Sequence, residues 1–247
     1  MTQQGKVALI TGANKGIGLE TARQLGQLGI TVLVGARDLA KGQKAADQLR
    51  SEGIDARSIQ LDVVNQSHIA AAVTGIESDF GKLDILVNNA GVMVEDGFGP
   101  NDATTVTIDQ LRQTFDTNVF AVVALTQALL PLLRKSPAGR IVNVSSILGS
   151  NTLHATPGSR IYEGKGAFAY DASKAALNSF TIHLAHALQG TDIKVNSAHP
   201  GWVKTDMGGS GAMMELVDGA KTEVDLATLP DDGPTGAYVH LGKTIPW

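Results

Sequence analysis

Cysteine is absent from this 247-residue chain, which excludes disulfides, thiolate metal sites and a cysteine nucleophile. Aromatic residues make up only 4% of the sequence, and no block of lysine and arginine stands out in a chain of net charge −4. We therefore expect no nucleic-acid partner and no attraction to an acidic membrane. The six histidines form no convincing ligand set, so no metal is expected.

Long apolar runs are also missing. Residues 1–6 are polar and do not resemble a signal peptide, and no apolar run approaches about 20 residues. We expect a cytoplasmic protein without a membrane partner. The chain is nevertheless 43% hydrophobic, which is enough to bury a large core at this length.

Short apolar runs alternate with helical periodicity along most of the chain. The predicted strands are Val7–Thr11, Thr31–Ala36, Ser58–Leu61, Leu83–Asn88, Arg140–Ser145, Ile193–Ala198 and Tyr238–Val239. The predicted helices are Gly16–Leu28, Leu39–Ser51, Gln66–Phe80, Ile108–Leu133 (kinked before Pro131) and Ala169–Leu188. Residues 149–166 and 208–228 look irregular.

Strands that are apolar on both faces and are followed by helices indicate a parallel sheet covered on both sides. The sequence therefore predicts an α/β fold: a single-domain Rossmann-type doubly wound parallel sheet with helices on both faces. We expect residues 1–247 to form this one domain. Its cofactor half spans roughly 1–140, and its catalytic and substrate half spans roughly 141–247.

A glycine-rich turn joins the first strand to the first helix. Its sequence is Thr11-Gly12-Ala13-Asn14-Lys15-Gly16-Ile17-Gly18. Glycines permit a tight turn and a close approach of the backbone to a pyrophosphate, and the free amides of the helix N-terminus attract an anion. This turn predicts a dinucleotide site, although a glycine triplet is weak evidence by itself.

Charges at the end of the second strand favour NADP over NAD. Arg37 stands where a 2′-phosphate would lie, and Lys15 lies in the glycine turn. Two cations can pair with this phosphate, whereas a carboxylate would repel it. Asp38 could be the acid typical of NAD sites. Its neighbours indicate instead that it caps the helix starting at Leu39.

A tyrosine and a lysine four residues apart, Tyr170 and Lys174, lie on one face of a predicted helix. A nearby ammonium and an oxidised nicotinamide ring would lower the tyrosine pKa from its usual value near ~10, as proton transfer near neutral pH requires. This spacing is common in helices. The Tyr170–Lys174 spacing becomes stronger evidence for a catalytic pair because the fifth strand ends in Asn143-Val144-Ser145-Ser146.

Taken in this order, the motifs resemble those of the short-chain dehydrogenase/reductase family, and further phrases resemble its carbonyl reductase branch. The resemblance implies four catalytic residues: Asn118, Ser146, Tyr170 and Lys174. It implies that the substrate meets Ser146, Tyr170 and Trp202. The combined cofactor-binding set is Gly12, Asn14, Lys15, Gly16, Ile17, Gly18, Arg37, Asp62, Val63, Asn89, Ala90, Gly91, Tyr170, Lys174, Pro200, Gly201, Val203 and Thr205.

Several of these roles have a structural alternative. Asp62 could simply form a turn, Asn118 could be a buried amide in need of a partner, and Trp202 could pack in the core. The resemblance otherwise gives Asn118 a water in a proton relay and places Asn89 nearest the ribose. Tyr162 has no lysine four residues later, so we reject it as the catalytic tyrosine.

The expected activity is NADPH-dependent reduction of a ketone or aldehyde, with Ser146 polarising the carbonyl and Tyr170 supplying the proton. An NADP-linked alcohol dehydrogenase working oxidatively would use the same residues. A non-catalytic NADPH sensor and a ketoacyl-carrier-protein reductase are further alternatives. Residues 208–228 are expected to form a mobile lid. A homo-oligomer, dimer or tetramer, is expected, with a monomer left open because the loop over 149–166 is long for the family.

Overall fold

The computed structural model describes residues 3–95, 102–163 and 167–247. These residues contain one eight-stranded sheet with the order β3-β2-β1-β4-β5-β6-β7-β8. Neighbouring strands are parallel except for β8, which is antiparallel to β7. The strands are β1 Val7–Thr11, β2 Thr31–Ala36, β3 Ala56–Gln60, β4 Ile85–Asn88, β5 Arg140–Val144, β6 Lys194–Ala198, β7 Tyr238–His240 and β8 Lys243–Thr244.

Helices connect the parallel strands and cover the sheet. They are α1 Gly16–Gln27, α2 Leu39–Ser51, α3 Gln66–Phe80, α4 Ile108–Phe115, α5 Ala121–Leu133, α6 Asn151–Ala155, α7 Phe168–Ala187 and α8 Leu216–Ala227. Every strand and helix that the sequence predicted is present. Apart from the long helix over 108–133, which is divided, their boundaries agree to within two residues.

The core has two halves, one on each face of the sheet. Successive residues of β1 alternate between them: Ile10 lies in the cluster that includes Leu25 of α1, and Leu9 lies in the cluster that includes Leu129 of α5. Both strand residues are fully buried. A parallel sheet covered on both faces requires this pattern, and it explains the continuous apolar runs of the strands. The predicted α/β Rossmann-type fold is confirmed.

The strand order reverses beside β1, which has β2 on one side and β4 on the other. At such a point the connections leave towards opposite faces and open a crevice beyond the carboxyl ends of the strands. The glycine turn follows β1, and Asn89 follows β4. The fold therefore brings these two predicted cofactor segments to one crevice.

The long helix over 108–133 is interrupted at a place the sequence did not indicate. A π-helical turn, Asp116–Phe120, separates α4 from α5, and α5 continues through Pro131 to Leu133. Wide turns of this kind accommodate one extra residue in a helix and are frequent at functional sites. Here the wide turn contains Asn118.

The prediction of irregular structure over 208–228 is wrong for its second half. Residues Leu216–Ala227 form α8, and Ala220, Val224 and Ala227 are buried on one of its faces. Spacings of three and four residues place these side chains on the same side of a helix. Gly219 allows α8 to pack closely against Val203, because a Cβ at position 219 would lie 2.6 Å from the Val203 side chain.

The stretch predicted as a loop over 149–166 contains a helix in its first part, α6. Residues 164–166 of this stretch lie outside the described residues. Among the described helices, Ile108–Leu133 is long and apolar enough in composition to cross a membrane, contrary to the expectation that no run approaches this length. Half of its most apolar window is buried inside the protein, so composition alone does not distinguish it from a core helix.

Candidate active site

The glycine turn leaves the N-terminus of α1 open. Gly12 and Gly16 adopt φ values of +65° and +60°, which favour glycine, and a Cβ at Gly18 would collide with the Asn89 side chain. Lys15 is the N-cap residue, but no side chain caps the helix and its first turn holds no acid. Free amides and the positive end of the helix dipole fit an anionic group such as a pyrophosphate.

The remaining residues predicted in this turn lie at the surface of the crevice. Asn14 and Ile17 are half-buried, and Lys15 is exposed. Lys15 forms an ion pair of 2.5 Å with Asp206, a residue of the segment after β6. Its ammonium lowers the pKa of the Asp206 carboxyl. Because both side chains are largely exposed, this pair adds little to stability. Lys15 can therefore exchange Asp206 for another anion.

Asn89 holds the glycine turn in place. Its side-chain amide donates to the carbonyl oxygens of Thr11, at 2.7 Å, and Gly12, at 3.4 Å. The backbone amides of Asn89 and Ala90 both donate to the Thr11 hydroxyl, at 3.0 and 2.9 Å. The Asn89 side chain is thus used to fix the turn, while its predicted proximity to the ribose stays a prediction.

Arg37 and Asp38 have separate surroundings at the end of β2. The Asp38 carboxylate accepts a hydrogen bond of 3.0 Å from the Lys41 amide, so the prediction that it caps α2 is confirmed. Arg37 is exposed and forms no ion pair with any residue that the structure describes. An exposed, uncommitted guanidinium beside the crevice fits a phosphate.

Asp62 and Val63 follow β3 as predicted. The Asp62 side chain accepts from the Val64 amide at 3.3 Å, as a turn-forming residue does, and Val63 is buried. His68 Nδ1 accepts from the Asp62 amide at 3.2 Å. Sequence reasoning missed this contact, because a single histidine in a helical pattern gives no signal of its target.

Ser146, Tyr170 and Lys174 come together beyond the end of β5. The Lys174 ammonium lies 5.4 Å from the centre of the Tyr170 ring and donates to the Val144 carbonyl oxygen at 2.8 Å. The Ser146 side chain lies close enough to the Tyr170 phenol to lower its pKa. Ser146 and Lys174 are buried, and Tyr170 is half-buried. Three of the four side chains predicted to be catalytic are therefore neighbours.

The expected lowering of the Tyr170 pKa is not what the protein's own residues produce. Burial raises the pKa of Tyr170 to about 12, and the hydrogen bond with Ser146 opposes that rise only in part. Burial also lowers the pKa of Lys174 to about 8, and this ammonium is anchored on Val144 instead of on the phenol. Desolvation is thus the largest effect on the pKa of Tyr170. A phenol with a raised pKa keeps its proton at neutral pH, as a proton donor must.

Ser145 and Ser146 are adjacent in sequence but have different surroundings. Ser145 is buried and its amide donates to Ala198 of β6 at 2.7 Å. Ser146 begins the turn Ile147–Gly149, where its hydroxyl accepts from the Leu148 amide at 3.3 Å. The Ser146 side chain is the one that affects the pKa of Tyr170, and its catalytic role stays a prediction.

Asn118 is buried in the π-helical turn with its amide fully used. It donates to the Val92 carbonyl at 2.8 Å and to the Ser173 hydroxyl at 3.0 Å, and it accepts from the Val92 amide at 2.8 Å. A Cβ at Gly91 would lie 3.4 Å from Asn118 Oδ1 and 3.5 Å from Lys174 Nζ. The side chain therefore braces the residues around Lys174, and its role in a water relay stays a prediction.

The segment after β6 forms a closed loop beside the crevice. Pro200 is buried, Gly201 adopts φ +99°, and Val203 is buried and bridged to Met214. The Thr205 hydroxyl accepts from the Gly208 amide at 3.0 Å. A Cβ at Gly16 would lie 3.7 Å from the Thr205 side chain, so this loop reaches the glycine turn.

Trp202 packs against the same loop. Its Nε1 donates to the Gly208 carbonyl at 2.8 Å, and a Cβ at Gly211 would lie 2.9 Å from its ring. The ring is 48% exposed, so one part packs and the other faces outward. The packing alternative accounts for these contacts, and a contact with substrate stays a prediction.

Three aromatic or imidazole side chains support the turn after Ser146, and sequence reasoning missed them. The Tyr238 hydroxyl donates to the Ser146 carbonyl oxygen, and the Trp247 ring stacks on Tyr238 at 5.3 Å. The His199 Nδ1 accepts from the Ile147 amide at 3.2 Å. Burial and nearby His240 lower the pKa of His199 to about 3, so its ring stays neutral. These contacts join residues far apart in sequence and leave no local motif.

No group of three histidine or acidic residues that could hold a metal occurs in the described part of the chain. The geometry offers instead an open helix N-terminus, an exposed arginine and a phenol paired with a serine, all beyond the carboxyl ends of β1, β2 and β5. This arrangement can hold a dinucleotide and exchange a proton beside it.

Comparison with known proteins agrees with this chemistry. The family model described as short chain dehydrogenase matches residues 6–215. Carbonyl reductase (NADPH) 1 of Homo sapiens is 36% identical over 279 residues, which cover 98% of this chain and 98% of the human protein. The protein of the same name from Mus musculus is 35% identical over 284 residues, covering all of both chains.

Solved structures give the same result. NADPH-bound carbonyl reductase from chicken fatty liver has a TM-score of 0.84 and 27% identity, covering 99% of this chain and 100% of that chain. Salutaridine reductase from Papaver somniferum has a TM-score of 0.81 and 30% identity, covering 94% of this chain and 99% of that one. With a family model matched over most of its length and relatives aligned end to end, this chain belongs to the short-chain dehydrogenase/reductase family.

Proposed function

We propose that this protein reduces the carbonyl group of a small ketone or aldehyde to an alcohol with NADPH. The observation that carries the proposal is the meeting of Ser146, Tyr170 and Lys174 at the crevice where the glycine turn opens. Burial raises the pKa of the Tyr170 phenol, so it keeps its proton at neutral pH, and Ser146 lies beside it, which suits the phenol to donate to a carbonyl oxygen. The relatives named as NADPH carbonyl reductases support the same reaction.

The residues present fit NADPH. The uncapped N-terminus of α1 and its glycines suit the pyrophosphate, and Arg37 with Lys15 suits the 2′-phosphate. Lys15 would exchange Asp206 for that phosphate. We assign cofactor binding to the half spanning roughly 1–140, with Asp62 and Val63 at the adenine and Asn89, Ala90 and Gly91 beside the ribose. Pro200, Gly201, Val203 and Thr205 would hold the nicotinamide end.

When bound, NADPH supplies the hydride, and the protein's residues supply position and a proton. Ser146 and Tyr170 bond the carbonyl oxygen, which polarises the carbonyl group. Tyr170 then gives its proton to the forming alkoxide. Lys174 holds the ribose and lies beside the phenol as a source of positive charge, while Asn118 braces the backbone next to Lys174. Trp202 would face the substrate with the exposed part of its ring.

Two other functions would use the same site. An alcohol dehydrogenase working oxidatively needs the same residues, because the reaction is reversible. A non-catalytic NADPH sensor would need only the cofactor half. A phenol that keeps its proton is in the form that reduction requires, and an intact Ser146, Tyr170 and Lys174 disfavours the sensor. We also propose a cytoplasmic enzyme, with a monomer, dimer or tetramer to be distinguished by light scattering of the purified protein.

The test is the loss of NADPH absorbance against a panel of ketones, aldehydes and quinones, with NADH in parallel and the reverse reaction run on alcohols with NADP⁺. We expect turnover of at least one carbonyl class, with NADPH preferred. Failure on every carbonyl would contradict the reductase function. Turnover of alcohols alone would favour the oxidative enzyme, and a preference for NADH would remove the role given to Arg37.

A further inference from the structure

The helix that carries Tyr170 does not cap its own N-terminus. Its N-cap residue, Ala167, adopts φ +85° and has no side chain that could accept a hydrogen bond. The first amides of any helix lack partners within the helix, and buried amides without partners destabilise a protein. The amide of Tyr170 is one of them, since α7 begins at Phe168.

A carboxylate from a distant part of the chain supplies the cap. Glu95 Oε1 accepts from the Ala169 amide at 2.8 Å, and Oε2 accepts from the Tyr170 amide at 3.0 Å. Glu95 precedes Ala169 by 74 residues and Tyr170 by 75 residues in the sequence. Only 4% of the Glu95 surface is exposed. Both bonds are assisted by charge, and the anion lies at the positive end of the helix dipole.

The segment after β4, over residues 89–95, contacts three parts of the proposed machinery. Asn89 holds the carbonyl oxygens of the glycine turn, and Val92 is bonded twice to Asn118. Glu95 then holds the first turn of α7. Three residues spaced three apart thus link the cofactor turn, the brace beside Lys174 and the helix of Tyr170 in one continuous stretch.

A second carboxylate nearby makes this cap costly, which argues that it does more than end a helix. Asp171 is next to Tyr170, and burial together with Glu95 raises the pKa of the Asp171 carboxyl to about 7. Asp171 lies 3.5 Å from His154 of α6, and His154 also contacts the Leu148 carbonyl at 2.9 Å. A serine at position 167 would cap α7 without burying a second negative charge there.

We propose that Glu95 is a positioning residue for the reaction. By holding the two amides of the first turn, its carboxylate fixes where the Tyr170 phenol lies relative to the glycine turn and the bound cofactor. The inference rests on the proposed carbonyl reduction, and it names a residue that the sequence motifs do not include. Proton transfer is sensitive to displacements of about 1 Å, so loosening this turn should slow the reaction more than it weakens cofactor binding.

The test compares Glu95→Ala and Glu95→Gln with Thr107→Ala in the full chain. Thr107 is exposed and caps α4 through the Gln110 amide, so its loss removes a helix cap whose hydrogen bonds go to Gln110 and not to α7. We expect kcat to fall about 10- to 100-fold in Glu95→Ala, with the KM and Kd for NADPH changed by less than about twofold. Glu95→Gln should fall less, because its amide oxygen can still accept one of the two bonds.

Hydrogen exchange gives a readout that does not depend on activity. The amides of Ala169 and Tyr170 should exchange faster in Glu95→Ala than in the unmodified protein, while Thr107→Ala leaves them unchanged. Unchanged kcat, a kcat loss matched by Thr107→Ala, or a loss confined to the KM for NADPH would each overturn the inference while leaving carbonyl reduction intact. Absence of turnover in the unmodified protein would overturn the proposed function itself.

Discussion

At the scale of single residues, the adjacent charges Arg37 and Asp38 show how one hydrogen bond decides a cofactor preference. The Asp38 carboxylate is directed at the Lys41 amide of α2. Arg37 remains exposed, with no ion pair to a described residue. The acid is therefore used by the protein's own backbone, and the guanidinium is left for a phosphate.

Replacing Arg37 with alanine should raise the KM for NADPH about 10- to 100-fold and leave the KM for NADH nearly unchanged, because a charge-assisted bond to the 2′-phosphate is lost. Steady-state kinetics with both cofactors measure this. Arg57→Ala is the control, since Arg57 is an exposed arginine on the next strand that contacts Asp79 and Phe80. Equal losses with NADPH and NADH would show that Arg37 does not read the phosphate.

Tyr170 shows where reasoning from residue spacing was incomplete. The spacing of four positions from Tyr170 to Lys174 predicted their proximity, and they are neighbours. Spacing could not show that Lys174 would be anchored on Val144 or that burial would raise the pKa of the phenol. Burial depends on the packing of the whole crevice, which no pair of residues encodes.

At the scale of elements, helix α8 buries a carboxyl group that is not part of the proposed chemistry. Glu223 has no exposed surface, and its Oε2 accepts from the Thr21 hydroxyl of α1 at 2.7 Å. Burial raises the pKa of Glu223 to about 8, with Thr21 and Lys174 opposing the rise. The folded protein therefore favours the protonated carboxyl.

Glu223 therefore makes the free energy of unfolding of the unmodified protein fall, relative to that of Glu223→Gln, as the pH rises. Because the pKa of Glu223 is higher in the folded state than in the unfolded state, its stabilising contribution is fully present below the ordinary glutamate pKa. This contribution is lost as the pH rises through about 8. Glu223→Gln is neutral at every pH. Its free energy of unfolding relative to the unmodified protein should therefore increase by roughly 2–4 kcal/mol between about pH 5 and about pH 9, measured by urea unfolding.

Glu77→Gln serves as the control for this pH series. Glu77 is a largely exposed carboxylate on α3 that pairs with Lys135, and exposed pairs contribute little to stability. The difference in free energy of unfolding between Glu77→Gln and the unmodified protein should change little with pH. If the Glu223→Gln difference stays flat as well, Glu223 is ionised in the folded protein at little cost.

The same helix marks a limit of prediction from sequence. Glycines and polar residues over 208–228 suggested a loop, yet Ala220, Val224 and Ala227 form a buried face on α8. Their small size hides the helical pattern, because alanine carries little hydrophobic signal. The π-helical turn at Asn118 was also missed, and the partner of its side chain, Val92, lies in another segment that local sequence does not reveal. By contrast, the strands of larger aliphatic residues were predicted to within two residues.

At the scale of the whole molecule, the sheet gathers at one crevice residues that are far apart in the chain. The glycine turn, Ser146 and Tyr170 were predictable because each belongs to a local motif at the end of a strand or on a helix. Glu95, Tyr238 and Trp247 were not, because their contacts with α7 and with the Ser146 turn exist only after folding. Motifs thus identify groups that react, and tertiary contacts identify the groups that hold them.

The most direct measurement for the central claim is the turnover of Tyr170→Phe on a ketone that the unmodified protein reduces, together with its Kd for NADPH. Tyr162→Phe is the matched control, since Tyr162 is an exposed tyrosine without a lysine four residues later. We predict that Tyr170→Phe loses about 10²- to 10⁴-fold in kcat while its Kd for NADPH stays within about threefold, because only the proton donor is removed. Tyr162→Phe should be unaffected. Retained turnover in Tyr170→Phe would contradict the account.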